Sequence, residues 1–282
     1  MRVAITGAAG LFGHALVEAF SARHAVFPLT RAEADITEAE SVRAVLERIR
    51  PEVVVHPAGI PDLDISDADP ARAYLVNVEG TRHVTNSARA VGAEVAYIST
   101  DAVFEGKNTR PYVESDTPSP ITVYGRTKLD GEVIVQTQPE HWIFRVPVLF
   151  GPGKTNFVEK GLRKVTAGEQ YVVASDQKGC AAYTLDASYK IMEVVEARRY
   201  GLYHLANQGV CTRYELARRA VELAGMDSGN VVGVPADQMG RRAPRLKYAV
   251  MEMAALKAAG FSLPRPWPEA LAAYIRTLAL SH

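Results

Sequence analysis

Short apolar runs separated by amphipathic stretches dominate the first half of the chain. RVAIT (2–6), AVFPL (25–29), EVVVHPA (52–58), EVAYIST (94–100) and WIFRVPVLF (142–150) are rich in Val and Ile and bounded by turn residues. They are apolar on both faces, as strands of a covered parallel sheet are. Between them LFGHALVEAF, AESVRAVLERI, ARAYLVNVEGTRHVTNSARAV and YGRTKLDGEVIVQ place apolar residues at helical spacing. Thr37 followed by Glu40 predicts a capping box ahead of the second helix. Strand and helix in alternation predict an α/β fold, a doubly wound parallel Rossmann sheet with right-handed crossovers.

After Gly151-Pro152-Gly153 the rhythm loosens. NFVEKGLRKVTAG, LDASYKIMEVVEA, RYELARRAVELAG and PEALAAYIRTLAL read as helices, YVVAS and GLYHLA as strands, and prolines at 235, 244, 264, 266 and 268 punctuate the tail. The pattern predicts a Rossmann domain over 1–152, to which the chain returns at about 176–206. A smaller substrate-binding lobe is expected from 153–175 and 207–282, closing over the sheet.

Composition narrows the function classes. Among 282 residues, 32 Asp and Glu balance 32 Lys and Arg. A zero net charge argues against nucleic acid as the main partner, because phosphate neutralisation normally leaves a basic excess. No basic-then-apolar leader and no apolar run of membrane-spanning length is present, so a soluble cytoplasmic protein is expected. Cys180 and Cys211 lack metal-ligand spacing and read as buried structural thiols.

The first strand runs into GAAGLFG, which supplies Gly7, Gly10 and Gly13. In a Rossmann turn the first glycine allows the bend, the second lets backbone approach a pyrophosphate, and the third permits close helix–strand packing. The N–H groups of the new helix then face the phosphates. The acid that usually closes the second strand is missing; LTRAEAD stands there instead. Arg31 lies where a guanidinium meets a 2′-phosphate, which favours NADPH over NADH; the alternative is a solvated surface arginine. Asp35-Ile36 would border the adenine, and the small residues of His56-Pro57-Ala58-Gly59 would admit the cofactor backbone. His56 itself reads as a hydrogen-bonded structural histidine.

In VYGRTK, Tyr124 and Lys128 are four apart and share a helix face. An ammonium nearby favours the phenolate, making the phenol a better proton donor to an oxygen gaining charge. That suits carbonyl reduction, with Lys128 also placed to hold the nicotinamide ribose. The fourth strand ends in Ser99-Thr100-Asp101, at the end where open α/β sheets bind ligands. A hydroxyl there would hydrogen-bond the substrate oxygen beside Tyr124.

GAAGLFG, HPAG, NVEGT (77–81) and YGRTK (124–128) resemble the extended short-chain dehydrogenase/reductases. ISTDAVFEGKNTRPYVESDTPSPITVYGRTKLDGE and LYHLANQGVCTRYELAR are similar to the dTDP-4-dehydrorhamnose reductases within them. The resemblance implies NAD(P)H-dependent reduction of the 4-keto group of dTDP-4-dehydro-L-rhamnose, with a homodimer as a family-level expectation. By the same resemblance Thr100, Tyr124 and Lys128 match the catalytic trio. Gly10-Leu11-Phe12, Asp35-Ile36 and Ala58-Gly59-Ile60 match cofactor contacts, and Thr30 stands where some members carry an acidic contact. Asp101 matches a sugar contact. Arg241, Arg242 and Arg245 lie near the family's Arg-Pro element as candidates for a nucleotide diphosphate, Arg242 foremost; a solvated basic loop is the alternative. The family usually has aromatic residues where Ala102 and Val148 stand, the second expected to pack on the sugar. These departures leave open a reductase of another keto-sugar or ketone. A cofactor-binding regulatory protein similar to the methionine adenosyltransferase β-subunit is the third reading.

Overall fold

In the computed structural model, which describes residues 1–278, strands and helices alternate through the first half. The order is β1 (Arg2–Thr6), α1 (Leu11–Ser21), β2 (Ala25–Leu29), α2 (Ala39–Ile49), β3 (Val53–His56), α3 (Leu63–Ala68), α4 (Pro70–Tyr74), α5 (Gly80–Ala90), β4 (Glu94–Thr100), α6 (Val123–Val135) and β5 (His141–Val146). A π-helical turn, Leu75–Glu79, joins α4 to α5. The second half continues through β6 (Val148–Phe150), α7 (Phe157–Thr166), β7 (Tyr171–Ala174), β8 (Lys178–Gly179), β9 (Ala181–Tyr183), α8 (Thr184–Glu196) and β10 (Gly201–His204). It ends with β11 (Cys211–Thr212), α9 (Arg213–Leu223), β12 (Val231–Val234), β13 (Tyr248–Ala249), α10 (Ala254–Ala258) and α11 (Trp267–Thr277).

β1 to β5 and β10 form one six-stranded sheet ordered β2-β1-β3-β4-β5-β10, with every pair parallel. Its order reverses at β1, with β2 on one side and β3 on the other, so the carboxyl ends of β1 and β3 flank a crevice. Neighbouring residues of a strand face opposite sides of the sheet. Val3, Ile5, Trp142 and Phe144 therefore pack with Leu16 and Phe20 of α1 and Ile191 and Val195 of α8. Ala4 and Ile143 pack on the other face with Leu46 of α2, Val84 of α5 and Val135 of α6. A further core joins Leu162 of α7, Tyr171 and Val173 of β7, Leu216 and Val221 of α9, and Tyr274 of α11. No helix among the described residues is long and apolar enough to cross a membrane.

Three expectations need correction. WIFRVPVLF is not one strand: β5 stops at Val146, paired with β4, and β6 restarts beyond Pro147, pairing Val148 with Ala181 of β9. Proline has no N–H for the ladder, and the chain passes from one sheet to another at that residue. The capping box at Thr37 does not form either. α2 begins after Glu38 with no side-chain cap, because the Thr37 hydroxyl donates to Asp35 Oδ1 at 2.7 Å and Glu40 pairs with Arg43. The last helix ends at Thr277, and Ala279 and Leu280 of the predicted span lie outside the described residues. Cys180 and Cys211 are both buried, and burial pushes their thiols up to about 11 and about 12.

Candidate active site

A cleft of about 1240 Å³ opens at the carboxyl ends of β1, β3, β4 and β5, faced by α7, β7, β8 and the start of α9. Among the predicted residues, Gly7, Gly10, Leu11, Phe12, Gly13, Thr30, Arg31, Asp35, Ile36, Ala58, Gly59 and Ile60 line one part of it. Thr100, Asp101, Tyr124, Lys128 and Val148 line the rest. Arg242 does not. Its side chain is 62% exposed and turned to Asp67, Nε to Oδ2 3.6 Å, while Arg241 and Arg245 on either side of it line the cleft. Arg245 is anchored there by Asp64 of α3, Nη2 to Oδ2 2.7 Å.

The glycine loop is built for close approach. Gly7 has φ +57°, and Gly10 N donates to Gly7 O at 2.8 Å. A Cβ on Gly13 would sit 2.1 Å from that same carbonyl oxygen, so α1 leaves the loop at a distance only glycine permits. Gly10 is the N-cap of α1 and offers no side-chain acceptor. The N–H groups of the first turn, at Leu11 and Phe12, therefore fit a dinucleotide pyrophosphate.

At the end of β2, Thr30 donates through its backbone N–H and its hydroxyl to Glu33 Oε2. Arg31 is 79% exposed at the mouth of the cleft, Nε 2.9 Å from Asp35 Oδ2. Two hydrogen bonds from Thr37, then Arg31, hold the Asp35 carboxyl below its ordinary range. Past β3, Ile60 N donates to Asn77 Oδ1 at 2.7 Å, and Asn77 Nδ2 donates to Thr127 Oγ1 at 2.9 Å. Asn77 thus ties the Ala58-Gly59-Ile60 loop to α6 from the π-helical turn. His56 is fully buried between Thr6 Oγ1 (2.7 Å) and Thr81 Oγ1 (3.1 Å). Burial and the nearby Lys128 lower its pKa to about 3, so it stays neutral.

Thr122 caps α6, accepting from Gly125 N at 2.9 Å, and so fixes Tyr124 in the first helical turn. A Cβ on Gly125 would lie 2.1 Å from Ala102 O. That bare position lets the helix press against the Thr100–Ala102 turn and brings the two halves of the site together. Thr100 Oγ1 donates to Asp101 Oδ1 at 3.0 Å and accepts from Ala102 N at 3.2 Å. Burial raises Asp101 to about 6 against the opposing pull of Arg213 and Thr100.

The phenol departs from expectation. Burial pushes Tyr124 well above an ordinary tyrosine, Asp101 adds to this, and only the hydrogen bond to Thr100 opposes it. Lys128, one turn on, is itself brought down to about 7 by burial, with Glu132 resisting. Tyr124 is therefore a neutral phenol at every working pH, the form a proton donor needs.

Two residues with no assigned role in the sequence reading belong here. Asn77 lies in NVEGT, where only the π-turn reveals that its amide reaches both the Ile60 loop and α6. Arg213 opens α9 and lines the cleft, as Asp101 does; its guanidinium lies 5.7 Å from the Phe157 ring, and its Nη1 is buried with no hydrogen-bond partner among the described residues. An arginine after a capping threonine carries no motif, so only the fold exposes it. Ala102 and Val148 both line the cleft, giving it small aliphatic side chains at these positions.

The sequence pattern of the RmlD substrate binding domain family matches residues 1–280. A dTDP-4-dehydrorhamnose reductase of Streptomyces griseus is 36% identical over 278 residues, 96% of this chain and 91% of the other. A dTDP-4-keto-6-deoxy-D-glucose reductase of Streptomyces niveus is also 36% identical, over 96% of this chain and 95% of the other. Among solved structures, dTDP-4-dehydrorhamnose reductase from Bacillus anthracis in complex with NADP is 33% identical with a TM-score of 0.95, covering 98% of this chain and 99% of the other.

Proposed function

The chain belongs to the RmlD substrate binding domain family, and on that premise we propose that it reduces dTDP-4-dehydro-L-rhamnose to dTDP-L-rhamnose with NADPH. At the coarser level it is an NAD(P)H-dependent oxidoreductase of the dTDP-4-dehydrorhamnose reductase type, a dTDP-keto-sugar reductase. The observation carrying the finer reading is the convergence of Thr100, Tyr124 and Lys128 in one cleft with the glycine loop.

The bound cofactor supplies the hydride. In this reading Tyr124 gives its phenolic proton to the 4-keto oxygen as negative charge develops there, and the Thr100 hydroxyl orients that oxygen. Asp101 takes a sugar hydroxyl. Lys128 holds the nicotinamide ribose, and Gly7, Gly10 and Gly13 with Leu11 and Phe12 hold the pyrophosphate. Residues 1–152, with the return at about 176–206, carry the cofactor; 153–175 and 207–282 take the nucleotide sugar. Arg241 and Arg245, rather than Arg242, face its diphosphate.

The small side chains at Ala102 and Val148 favour a second reading, the same chemistry on another dTDP-keto sugar. Following NADPH oxidation with dTDP-4-dehydro-L-rhamnose and with dTDP-4-keto-6-deoxy-D-glucose separates the two. The first substrate should turn over with the higher kcat/KM. Preference for the second transfers the assignment to it, and cofactor binding without turnover on any ketone overturns both.

Arg31 decides cofactor choice. Arg31→Ala should weaken NADPH about tenfold, the loss of one charge-assisted contact, and leave NADH within about twofold in parallel binding titrations. Equal losses for the two nucleotides would limit Arg31 to its pairing with Asp35.

A further inference from the structure

Lys128 is 5% exposed, and no hydrogen bond holds its ammonium among the described residues. Its Nζ instead lies 3.9 Å from the centroid of the Tyr97 ring. Tyr97, on β4, is fully buried. It reaches the lysine because α6 has a notch where the ring passes: a Cβ on Gly131 would lie 2.1 Å from Tyr97 Oη and 2.7 Å from its Cζ. Glycine inside a helix costs roughly 1 kcal/mol relative to alanine, so the notch has a packing reason.

Among the described residues, the charged and titratable groups on the lysine's own helix face and on β3 and β4 supply no free counter-ion; Asp130, whose charge bears on Tyr97, is two positions along α6 and does not share the lysine's face. His56 approaches from β3, its ring 5.6 Å from that of Tyr97, and is neutral. Tyr124 lies one turn back on α6 and is neutral as well. Glu132, one turn ahead, is the acid that favours a charged lysine. Its carboxylate is already taken by Arg145 of β5, Nε to Oε1 2.9 Å and Nη2 to Oε2 2.7 Å, and by Ser99 Oγ at 2.5 Å. Asp101, beyond the end of β4, is hydrogen-bonded to Thr100.

We propose that Tyr97 is a positioning residue for Lys128: its ring face, seated in the Gly131 notch, fixes the ammonium at the cleft floor and stabilises its charge where no carboxylate is free. The negative face of an aromatic ring attracts a cation more strongly where the cation is mostly withdrawn from water, and Lys128 is 5% exposed. Removing the ring face removes a contact made only by the charged lysine, so the lysine then loses its proton at lower pH.

The test is a 13Cε titration of lysine-labelled protein without substrate, with Lys128→Met assigning the signal. Tyr97→Leu should move the Lys128 titration down by about one pH unit, and the pH dependence of NADPH binding should move with it. Tyr97→Phe keeps the ring and should titrate with the wild type. A folded Tyr97→Leu variant that titrates unchanged overturns the proposal, and so does a Tyr97→Phe variant that shifts as far as the leucine. Where Tyr97→Leu does not fold, Gly131→Ala carries the test: the added methyl displaces the ring and should shift the lysine in the same direction, and an unchanged titration is again fatal. The proposal extends the reductase reading, but this titration needs no turnover, so the two fail independently.

Discussion

Tyr124→Phe is expected to lower kcat by about 10²–10⁴-fold, the usual contribution of a positioned general acid, with NADPH affinity within about twofold of wild type. The substitution removes one oxygen from a half-buried side chain and leaves the ring in the first turn of α6. The thermal midpoint should therefore hold while the proton source is lost. Single-turnover oxidation of NADPH, compared with a cofactor titration on the same preparation, reads both quantities. A variant with full turnover would remove Tyr124 from the proton path. A variant that lost cofactor binding instead would make the phenol a cofactor ligand first. Because burial holds the phenol neutral, its titration does not limit the rate at neutral pH.

Arg145→Met should cost about 3–5 kcal/mol of stability, the penalty for stranding a buried charge. For a chain of this size that corresponds to a fall in Tm on the order of 10 °C. Arg145 and Glu132 are 3% and 2% exposed and meet through two parallel hydrogen bonds. Ser99 is opposite Arg145 in the β4–β5 register, so both reach the same carboxylate on α6. Losing the guanidinium leaves that carboxylate in the core with one hydroxyl for company. Glu132→Leu combined with Arg145→Met should recover much of the loss, because replacing both members of a buried pair by apolar side chains is often neutral. Differential scanning calorimetry checks both; a double variant as unstable as Arg145→Met would show that packing, not charge, sets the cost.

The alternation of elements in the main sheet was legible because both faces of each strand are covered, which writes Val and Ile into consecutive positions. The glycine loop was legible for a similar reason: each of its glycines answers to a specific steric need. Pro147 was a visible warning inside WIFRVPVLF, but the apolar run continued past it, and pattern alone cannot say that the residues beyond join a different sheet. At Thr37 the residue type was right for a cap and a nearby carboxylate, Asp35, won its hydroxyl. Arg241, Arg242 and Arg245 were indistinguishable as a basic cluster. Which of them turns inward depends on Asp64 and Asp67, far away in sequence on α3. Asn77 and Arg213 act on residues distant in sequence, and no local spacing announces such partners.

The position of β10 bears on how the molecule is made. The sheet's last strand is Gly201–His204, and α8, which covers α1, comes just before it. As the chain emerges from the ribosome, a segment ending near residue 150 has every cofactor-loop residue yet presents β5 as a bare edge and α1 as a bare apolar face. The six-stranded sheet therefore cannot be completed until the chain from β6 to β10 has been synthesised. Premature termination or a nick between 150 and 200 should yield an adhesive fragment, not a smaller nucleotide-binding protein.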